Sequence, residues 1–175
     1  ARALAAAFWT GPLTLIVHRG QGVTAAVAGG GPTVGLRVPA HPLALALLRA
    51  ADLPLAAPSA NRFGAVSPTT ADHVAADLGD DVGYILDGGA CVVGVESTIV
   101  DVSGDAPTLL RPGGVTRAAI EAVLGRPLAG ASPASPAAPG TLASHYAPRA
   151  AVWLVEEAAV DAALASAPRP VARCK

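Results

Sequence analysis

Apolar residues along the chain fall into two patterns: short continuous runs, and stretches in which they recur every three to four positions. The runs are typical of buried strands, and the longer period is typical of amphipathic helices. Helices are predicted at residues 1–9, 42–51, 71–78 and 117–124. Strands are predicted at residues 13–17, 33–39, 53–57, 82–86 and 109–111, with two more apolar runs within 92–102. The alternation of the two kinds of element indicates an α/β fold.

The most informative stretch is the loop formed by residues 57–70, which separates a predicted strand from a predicted helix. Small residues, hydroxyls and the amide of Asn61 leave its backbone accessible. Open α/β sheets bind ligands at such places, and a helix N-terminus suits phosphate or carboxylate. The alternative is an ordinary polar turn, with Ser67 or Thr69 as N-cap and Pro68 in the first turn. Local chemistry alone favours the ordinary turn.

The composition changes after residue 125. Residues 126–142 are dominated by Pro, Ala, Ser and Gly, which is typical of a linker that packs as neither helix nor strand. A strand at 151–155 and a helix at 156–165 are predicted to begin another α/β domain. We therefore expect a domain at 1–125, a linker at 126–149 and the start of a truncated domain at 150–175. The chain opens as if already inside a helix, so we expect a fragment.

Composition and charge exclude some classes of protein. Hydrophobic residues make up 52% of the chain and aromatic residues only 3%, so we expect an aliphatic core. The net charge of −1 gives little support to a basic nucleic-acid surface. Only Lys175 among the 12 basic residues is a lysine, so an internal anion site would use arginine, histidine or backbone N–H groups. The most apolar region, 42–57, is interrupted by charges and proline and does not resemble a membrane span.

The two cysteines, Cys91 and Cys174, form neither a metal-binding pattern nor a disulfide framework. Cys91 lies in an apolar run, so we expect a reduced thiol in the core. This cysteine usage favours a cytoplasmic location.

Several polar side chains interrupt the predicted strand ends: Arg37, Ser59, Asn61, Ser67, Glu96, Ser97, Thr98 and Arg111. Two arginines and several hydroxyls could hold a carboxylate and phosphates. Each residue also has an ordinary alternative, such as a surface ion pair for either arginine, a cap for Glu96 or a solvated linker position for His145. The sequence lacks the P-loop, dinucleotide, zinc-protease and nucleophile-elbow motifs.

The order of the motifs is more specific than any one of them. They are F-W-T-G-P-L-T at 8–14, V-G-L-R-V-P at 34–39, P-S-A-N at 58–61, S-P-T at 67–69, D-G-G at 87–89, G-V-E-S-T-I-V-D at 94–101 and L-R-P-G at 110–113. In this order the chain closely resembles the YrdC-domain threonylcarbamoyl-AMP synthases over residues 8–155. The linker followed by H-Y-A-P at 145–148 resembles the long form, which carries an extra C-terminal domain.

The resemblance implies a twisted, mixed parallel and antiparallel sheet with flanking helices and a concave anion-binding cavity. It implies a nucleotidyltransferase that makes L-threonylcarbamoyladenylate and pyrophosphate from L-threonine, bicarbonate and ATP, with Mg²⁺ on the phosphates. A downstream complex would then transfer the threonylcarbamoyl group to an adenosine beside the anticodon of tRNA. Neither a membrane nor strong direct nucleic-acid binding is expected.

Carried over residue by residue, the resemblance implies two sets of contacts. Threonine would be held by Arg37, Ser97 and the backbone at Ala57. ATP would be contacted by Thr33, Ser59, Ser67 and Arg111, with Asn61 shaping the same loop and His145 reaching back from the linker as part of a lid. Catalysis would proceed by positioning, without a covalent enzyme intermediate.

The chain also departs from the family pattern. A P-T-E-T-x-Y-G segment and a basic K-x-R motif are absent, and Thr10 stands where the family usually has proline. Three alternatives stay open: a carbamoyltransferase of the hydrogenase-maturation type, a non-catalytic RNA-binding module, and a regulatory domain that binds nucleotide without turnover. The His145-Tyr146 linker argues against the first.

Overall fold

A mixed sheet forms the centre of the fold. The computed structural model describes residues 1–133, 135–136, 138–140 and 153–167, and within these the sheet has five strands in the order β2-β1-β3-β4-β5. The strands are β1 Leu13–His18, β2 Thr33–Leu36, β3 Thr98–Asp101, β4 Thr108–Arg111 and β5 Ala129–Gly130. The β1–β2 and β3–β4 pairs are antiparallel, and the β1–β3 and β4–β5 pairs are parallel. The predicted mixed sheet is confirmed.

The helices begin and end close to their predicted positions. They are α1 Arg2–Phe8, α2 Pro42–Ala51, α3 Ala71–Leu78, α4 Arg117–Leu124 and α5 Val160–Ser166, with 3₁₀ turns at Gly79–Asp81 and Glu157–Ala159. The hydroxyl of Thr116 accepts a hydrogen bond from the Ala119 N–H, and Gly125 ends α4 in the left-handed conformation, as predicted. The predicted cap of α3 is wrong, because the Thr70 side chain, not Ser67 or Thr69, accepts the His73 N–H. No helix in the described part of the chain is long and apolar enough to cross a membrane.

The larger part of the core lies between the sheet and two helices. Leu4 of α1, Ile120 of α4 and the inward side chains of β1 and β3 are almost completely buried there. The opposite sheet face buries a smaller cluster of Ile16, Ile99, Leu110 and Ala138. Every large member of both clusters is aliphatic, as the composition predicts.

A clamp formed by side chains of α4 fastens that helix to the chain that follows it. The Glu121 carboxylate accepts hydrogen bonds from the Leu128 N–H at 2.8 Å and from the Arg117 guanidinium at 3.2 Å. These bonds lower the pKa of Glu121, and the backbone bond from Leu128 is the larger cause. The clamp holds Leu128 in the core beside Ile120.

Two predicted strands are wrong. Residues 53–57 and 82–86 form no ladder with any described residue, and Leu53, Leu55, Tyr84 and Leu86 are substantially exposed. An apolar run indicates a segment suited to burial, but a strand exists only when a second segment supplies its hydrogen bonds. The first half of 92–102 is also not a strand, and Val92 is 98% exposed.

The predicted linker is ordered at its start. Ala129 and Gly130 pair with β4 as β5, and Leu128 and Ala138 are buried, which corrects the expectation that 126–142 packs as neither helix nor strand. The edge of β4 presents backbone N–H and C=O groups that need hydrogen-bond partners, and the short strand Ala129–Gly130 pairs with that edge.

The C-terminal elements are found in part. Residues 153–155 are not a strand, residues 151 and 152 lie outside the described residues, and α5 confirms most of the predicted helix. The structure does not test the domain boundaries, which stay a prediction.

Candidate functional site

A cavity of about 400 Å³ opens beside the loop that the sequence singled out. This volume is in the range that small-molecule ligands occupy. Three stretches far apart in sequence form its wall: the end of β2, the loop and first turns of α3, and the segment before β3. The lining residues are Arg37, Ala57, Pro58, Ser59, Ala60, Ser67, Pro68, Thr69, Thr70, Ala71, Val74, Ile85, Leu86, Asp87, Gly88, Gly89, Cys91 and Glu96.

A second cavity, of about 340 Å³, lies between β4 and the linker. Its lining contains Leu110, alanines, prolines and two serines, with no charged side chain among the described residues. A site for anionic substrates needs cationic or N–H groups, so we assign the candidate site to the larger cavity.

Hydrogen bonds within the loop keep its shape. The Asn61 amide donates to the Arg62 carbonyl at 2.9 Å and to the Ala65 carbonyl at 3.1 Å. The Arg62 backbone N–H donates to the Asp77 carboxylate at 2.7 Å, and its guanidinium pairs with Asp81 at 2.7 Å. The loop is therefore fastened to the C-terminal end of α3, and Asn61 acts through the loop instead of lining the cavity.

A histidine at the start of α2 contacts one wall of the cavity. The His41 Nδ1 accepts the Leu43 N–H at the start of α2, and its Nε2 lies 3.1 Å from the Gly88 carbonyl. Since Nδ1 accepts, Nε2 carries the proton and donates it to Gly88. A Cβ at residue 88 would overlap the imidazole ring, so only glycine allows this contact. The contact places the turn at residues 87–89 against the cavity.

A polar network connects the loop to the strand ends. The Ser67 hydroxyl donates to Glu96 Oε1 at 2.6 Å, and Glu96 Oε2 lies 3.7 Å from Nη2 of Arg111. The Arg111 guanidinium also donates to the Ser97 carbonyl, from Nε at 3.1 Å and from Nη2 at 2.9 Å. The Ser97 hydroxyl lies 2.8 Å from the Thr14 hydroxyl. The network fixes Glu96 at the edge of the cavity.

The backbone beneath Glu96 is closely packed. The Gly114 N–H donates to the Glu96 carbonyl at 3.1 Å, and the Thr98 hydroxyl donates to the Val115 carbonyl at 2.6 Å. A Cβ at residue 113 would overlap the Glu96 carbonyl and the Thr98 nitrogen, so glycine is needed there. The segment that carries Glu96 and Ser97 is therefore held rigidly against the turn after β4.

The two predicted anion-binding arginines have different surroundings. Arg37 is exposed and lines the cavity, and its guanidinium makes no hydrogen bond or ion pair with the part of the chain that the structure describes. The Arg111 side chain is only 11% exposed and donates to Ser97 and to the Pro139 carbonyl. Arg37 is the arginine whose donors are available to a ligand.

The predicted site residues divide into three groups. Arg37, Ala57, Ser59 and Ser67 line the cavity. Arg111 and the nearly buried Ser97 lie behind Glu96, Asn61 shapes the loop, and Thr33 pairs with His18 at the start of β2. His145 lies outside the described residues. The binding roles of all these residues stay predictions.

Residues that were not predicted as contacts also face the cavity. The sequence indicates Glu96 only as a polar group at a strand end and Asp87 only as part of a turn, whereas both line the cavity. Cys91, predicted as a core thiol, is exposed and lines the cavity, which corrects that prediction. The apolar neighbours of Cys91 suggest burial, but the segment around it runs along the surface. The Cys91 N–H donates a hydrogen bond to the Thr69 carbonyl at 2.8 Å, and this bond joins the segment to the loop.

Two family models match the chain. A model of Sua5, YciO and YrdC proteins, described as Telomere recombination, matches residues 1–113. A second model, described as the C-terminal domain of threonylcarbamoyl-AMP synthase, matches residues 115–173. Together they cover both the sheet with its cavity and the chain beyond β4.

Curated relatives and a solved structure are similar to the chain. The threonylcarbamoyl-AMP synthase of Bacillus subtilis is 47% identical over 162 residues, which are 89% of this chain and 46% of that protein. The enzyme of the same name from Pyrococcus abyssi is 45% identical over 161 residues, 89% of this chain and 47% of that protein. A crystal structure of P. abyssi Sua5 complexed with L-threonine matches with a TM-score of 0.78 at 43% identity, covering 84% of this chain and 45% of that one. The chain thus spans about half the length of the relatives it matches.

Proposed function

The chain belongs to the Sua5/YciO/YrdC family, and from this we propose that the protein is an L-threonylcarbamoyladenylate synthase. It combines L-threonine, bicarbonate and ATP into threonylcarbamoyl-AMP and pyrophosphate. The names of the curated relatives and the threonine-bound P. abyssi structure support this proposal.

The observation that carries the proposal is the position of Arg37. Its guanidinium faces a cavity of about 400 Å³ without a protein partner among the described residues. A guanidinium binds a carboxylate with two parallel hydrogen bonds, which suits the carboxylate of threonine. The backbone at Ala57 lies in the same wall. Ser97, which is 6% exposed and has its hydroxyl 2.8 Å from the Thr14 hydroxyl, is proposed to complete the threonine site.

ATP would lie along the loop that ends at α3. Ser59 and Ser67 line this part of the cavity, and a loop without bulky side chains lets a ligand approach the backbone N–H groups. Arg111 would act on the nucleotide from behind Glu96, Asn61 would hold the loop, and Thr33 would contribute from the start of β2.

The chemistry that follows requires positioning more than covalent catalysis. Threonine nitrogen attacks the carbon of bicarbonate, water leaves, and a carbamate forms. A carbamate oxygen then attacks the α-phosphorus of ATP, the bond from that phosphorus to the bridging oxygen breaks, and pyrophosphate leaves. Holding the carbamate and the phosphate together supplies much of the rate, and Arg37 fixes the threonine end.

We also propose that Mg²⁺ accompanies ATP. The described residues contain no group of three or more His, Cys, Asp or Glu side chains that could hold an ion without the nucleotide. Mg²⁺ is commonly bound by one or two carboxylates together with substrate phosphates, and Asp87 is a carboxylate of the cavity wall that could take this part. The ion would neutralise charge on the phosphates.

The linker is proposed to close over the nucleotide. Arg111 Nη1 donates to the Pro139 carbonyl at 2.8 Å, so the linker passes close to the site six residues before His145. His145 would then approach ATP and shield the carbamate and the adenylate, both of which react with water. The product would pass to a complex that modifies tRNA in the cytoplasm.

Pyrophosphate release from the complete protein tests the proposal. We expect release from ATP only when both threonine and bicarbonate are present. Release with carbamoyl phosphate in place of both would favour a carbamoyltransferase. RNA binding without turnover of ATP would favour a binding module, and ATP binding without turnover would favour a regulatory domain.

A further inference from the structure

We propose that Glu96 determines which nucleoside the site accepts. By taking the hydrogen bond of the Ser67 hydroxyl, it makes the Ser67–Glu96 pair an acceptor for a donor group of the nucleoside, either a sugar hydroxyl or the exocyclic amine of the base. This inference deepens the proposed function and rests on it.

The contact between the two side chains sets the direction of the hydrogen bonds. Ser67 Oγ lies 2.6 Å from Glu96 Oε1. A carboxylate can only accept, so the single hydroxyl proton of Ser67 points at Glu96. Such a short bond to a charged group is stronger than one between neutral groups. Ser67 therefore offers lone pairs, not a proton, to a ligand in the cavity.

The second carboxylate oxygen is anchored but not saturated. Glu96 Oε2 lies 3.7 Å from Nη2 of Arg111, and 31% of the Glu96 side chain is exposed. A carboxylate has about four acceptor positions, and the described hydrogen bond from Ser67 uses one of them. The remaining positions are available on the side that lines the cavity.

The negative charge of Glu96 determines which part of a nucleotide can lie beside it. A phosphate oxygen beside Glu96 would meet a like charge and a serine that donates its proton elsewhere. A sugar hydroxyl or an amine would instead donate to the carboxylate, which is how acidic residues bind ribose in other folds. The phosphates are therefore expected farther along the loop, beyond Ser67.

Both members of the pair are held in place before a ligand arrives. The Glu96 carbonyl accepts the Gly114 N–H, and Gly113 packs against the same peptide. On the other side, the Thr69 carbonyl, two residues after Ser67, accepts the Cys91 N–H at 2.8 Å. Because the two side chains are already fixed, binding a ligand does not cost the conformational entropy of ordering them.

Calorimetric titration of the complete protein, without threonine, tests the inference. The probes are ATP, 2′-deoxy-ATP, 3′-deoxy-ATP and inosine triphosphate, which lacks the exocyclic amine. We expect the unaltered protein to bind one of the last three at least roughly tenfold more weakly than ATP, the loss of a hydrogen bond to a charged group. The weakened probe identifies the donor group.

Variants then assign that preference to the pair. The preference is measured as the dissociation constant of the weakened probe divided by that of ATP. Glu96→Ala should bring this ratio close to one, and Ser67→Ala should lower it. Glu96→Gln keeps an acceptor oxygen and should keep part of the preference. Glu157→Gln, on an exposed turn of the C-terminal segment, is the matched control and should leave the ratio unchanged.

The outcomes separate this inference from the proposed function. Tight binding of all four nucleotides by the unaltered protein would overturn the inference alone. So would an equal loss of affinity for all four in Glu96→Ala, since that result indicates a structural role. If the unaltered protein binds no ATP, the proposed function falls and the inference falls with it.

Discussion

Arg111 donates from Nη1 to the carbonyl of Pro139, 2.8 Å away, and this bond fastens the linker to the strand that ends beside the cavity. The same side chain holds the Ser97 carbonyl with two further hydrogen bonds. Arg111 thus connects three parts of the molecule: β4, the segment before β3 and the linker.

Replacing Arg111 should therefore affect both stability and binding. We expect Arg111→Ala to lower the free energy of unfolding by about 2–4 kcal/mol, because the carbonyl and the hydroxyl of the buried Ser97 lose their donor. ATP binding should also weaken about tenfold to a hundredfold, because the charge-assisted contact proposed between Arg111 and the nucleotide is lost. Denaturant unfolding and calorimetry measure the two effects. Unfolding identical to that of the unaltered protein would contradict the structural role.

Replacing Arg37 should affect the binding of threonine but not the stability of the protein. Arg37 is exposed and makes no contact that the described structure depends on, so Arg37→Ala should leave the free energy of unfolding within about 0.5 kcal/mol. Threonine binding should fall about tenfold to a hundredfold, while ATP binding changes little. Arg49→Ala, at an exposed position of α2, is the matched control. A larger effect on ATP than on threonine would show that the assignment is reversed.

The close packing at Gly113 gives a test of the site's backbone. We expect Gly113→Ala to destabilise the protein by about 2 kcal/mol or more, because the added Cβ overlaps the Glu96 peptide. Gly104→Ala is the control: no atom lies within 4 Å of a Cβ there, and its stability should change by less than about 0.5 kcal/mol. Equal thermal midpoints for the two variants would mean that the turn after β4 does not constrain Glu96.

The lowered pKa of Glu121 predicts a dependence of stability on acid. The folded pKa is lowered by the Leu128 N–H first and by Arg117 second, from about 4.3 in the unfolded chain. The stabilisation is therefore present above about pH 4.3 and is lost as the pH falls through the lower folded value. Glu121→Gln should melt below the unaltered protein at pH 7, and the gap should close on acidification. A gap that stays constant from pH 7 to pH 3 would rule out this origin.

The lid can be tested by removing residues 140–148 from the complete protein. The sheet and α4 are expected to keep their stability, because the core residues lie at position 128 and before, apart from Ala138. Synthesis should stop, or ATP should be hydrolysed without product, because water reaches the carbamate and the adenylate. His145→Ala, measured in parallel, separates the imidazole from the rest of the segment. Unchanged coupling of ATP use to product would leave the linker as a tether only.

The sequence by itself determined the elements whose signals are local. The Thr116 cap, the glycines that end α3 and α4, and Pro42 at the start of α2 act on their own backbone, so these helices lie where they were predicted. The apolar runs that became β1, β2 and β4 were recognisable for the same reason. The ordered motifs also indicated the family, since each is a short stretch of chain.

The tertiary structure decided everything that depends on a partner distant in sequence. Residues 53–57 have the composition of a strand, but they find no partner strand within the described structure. Residues Ala129–Gly130 have the composition of a linker, but they pair with β4 at the edge of the sheet. Arg37 and Arg111 look alike in sequence, yet one faces the cavity and the other is bonded within the protein. Glu96 meets Ser67 across 29 residues. Such contacts are set by how the strands and loops meet in space, which no local pattern encodes.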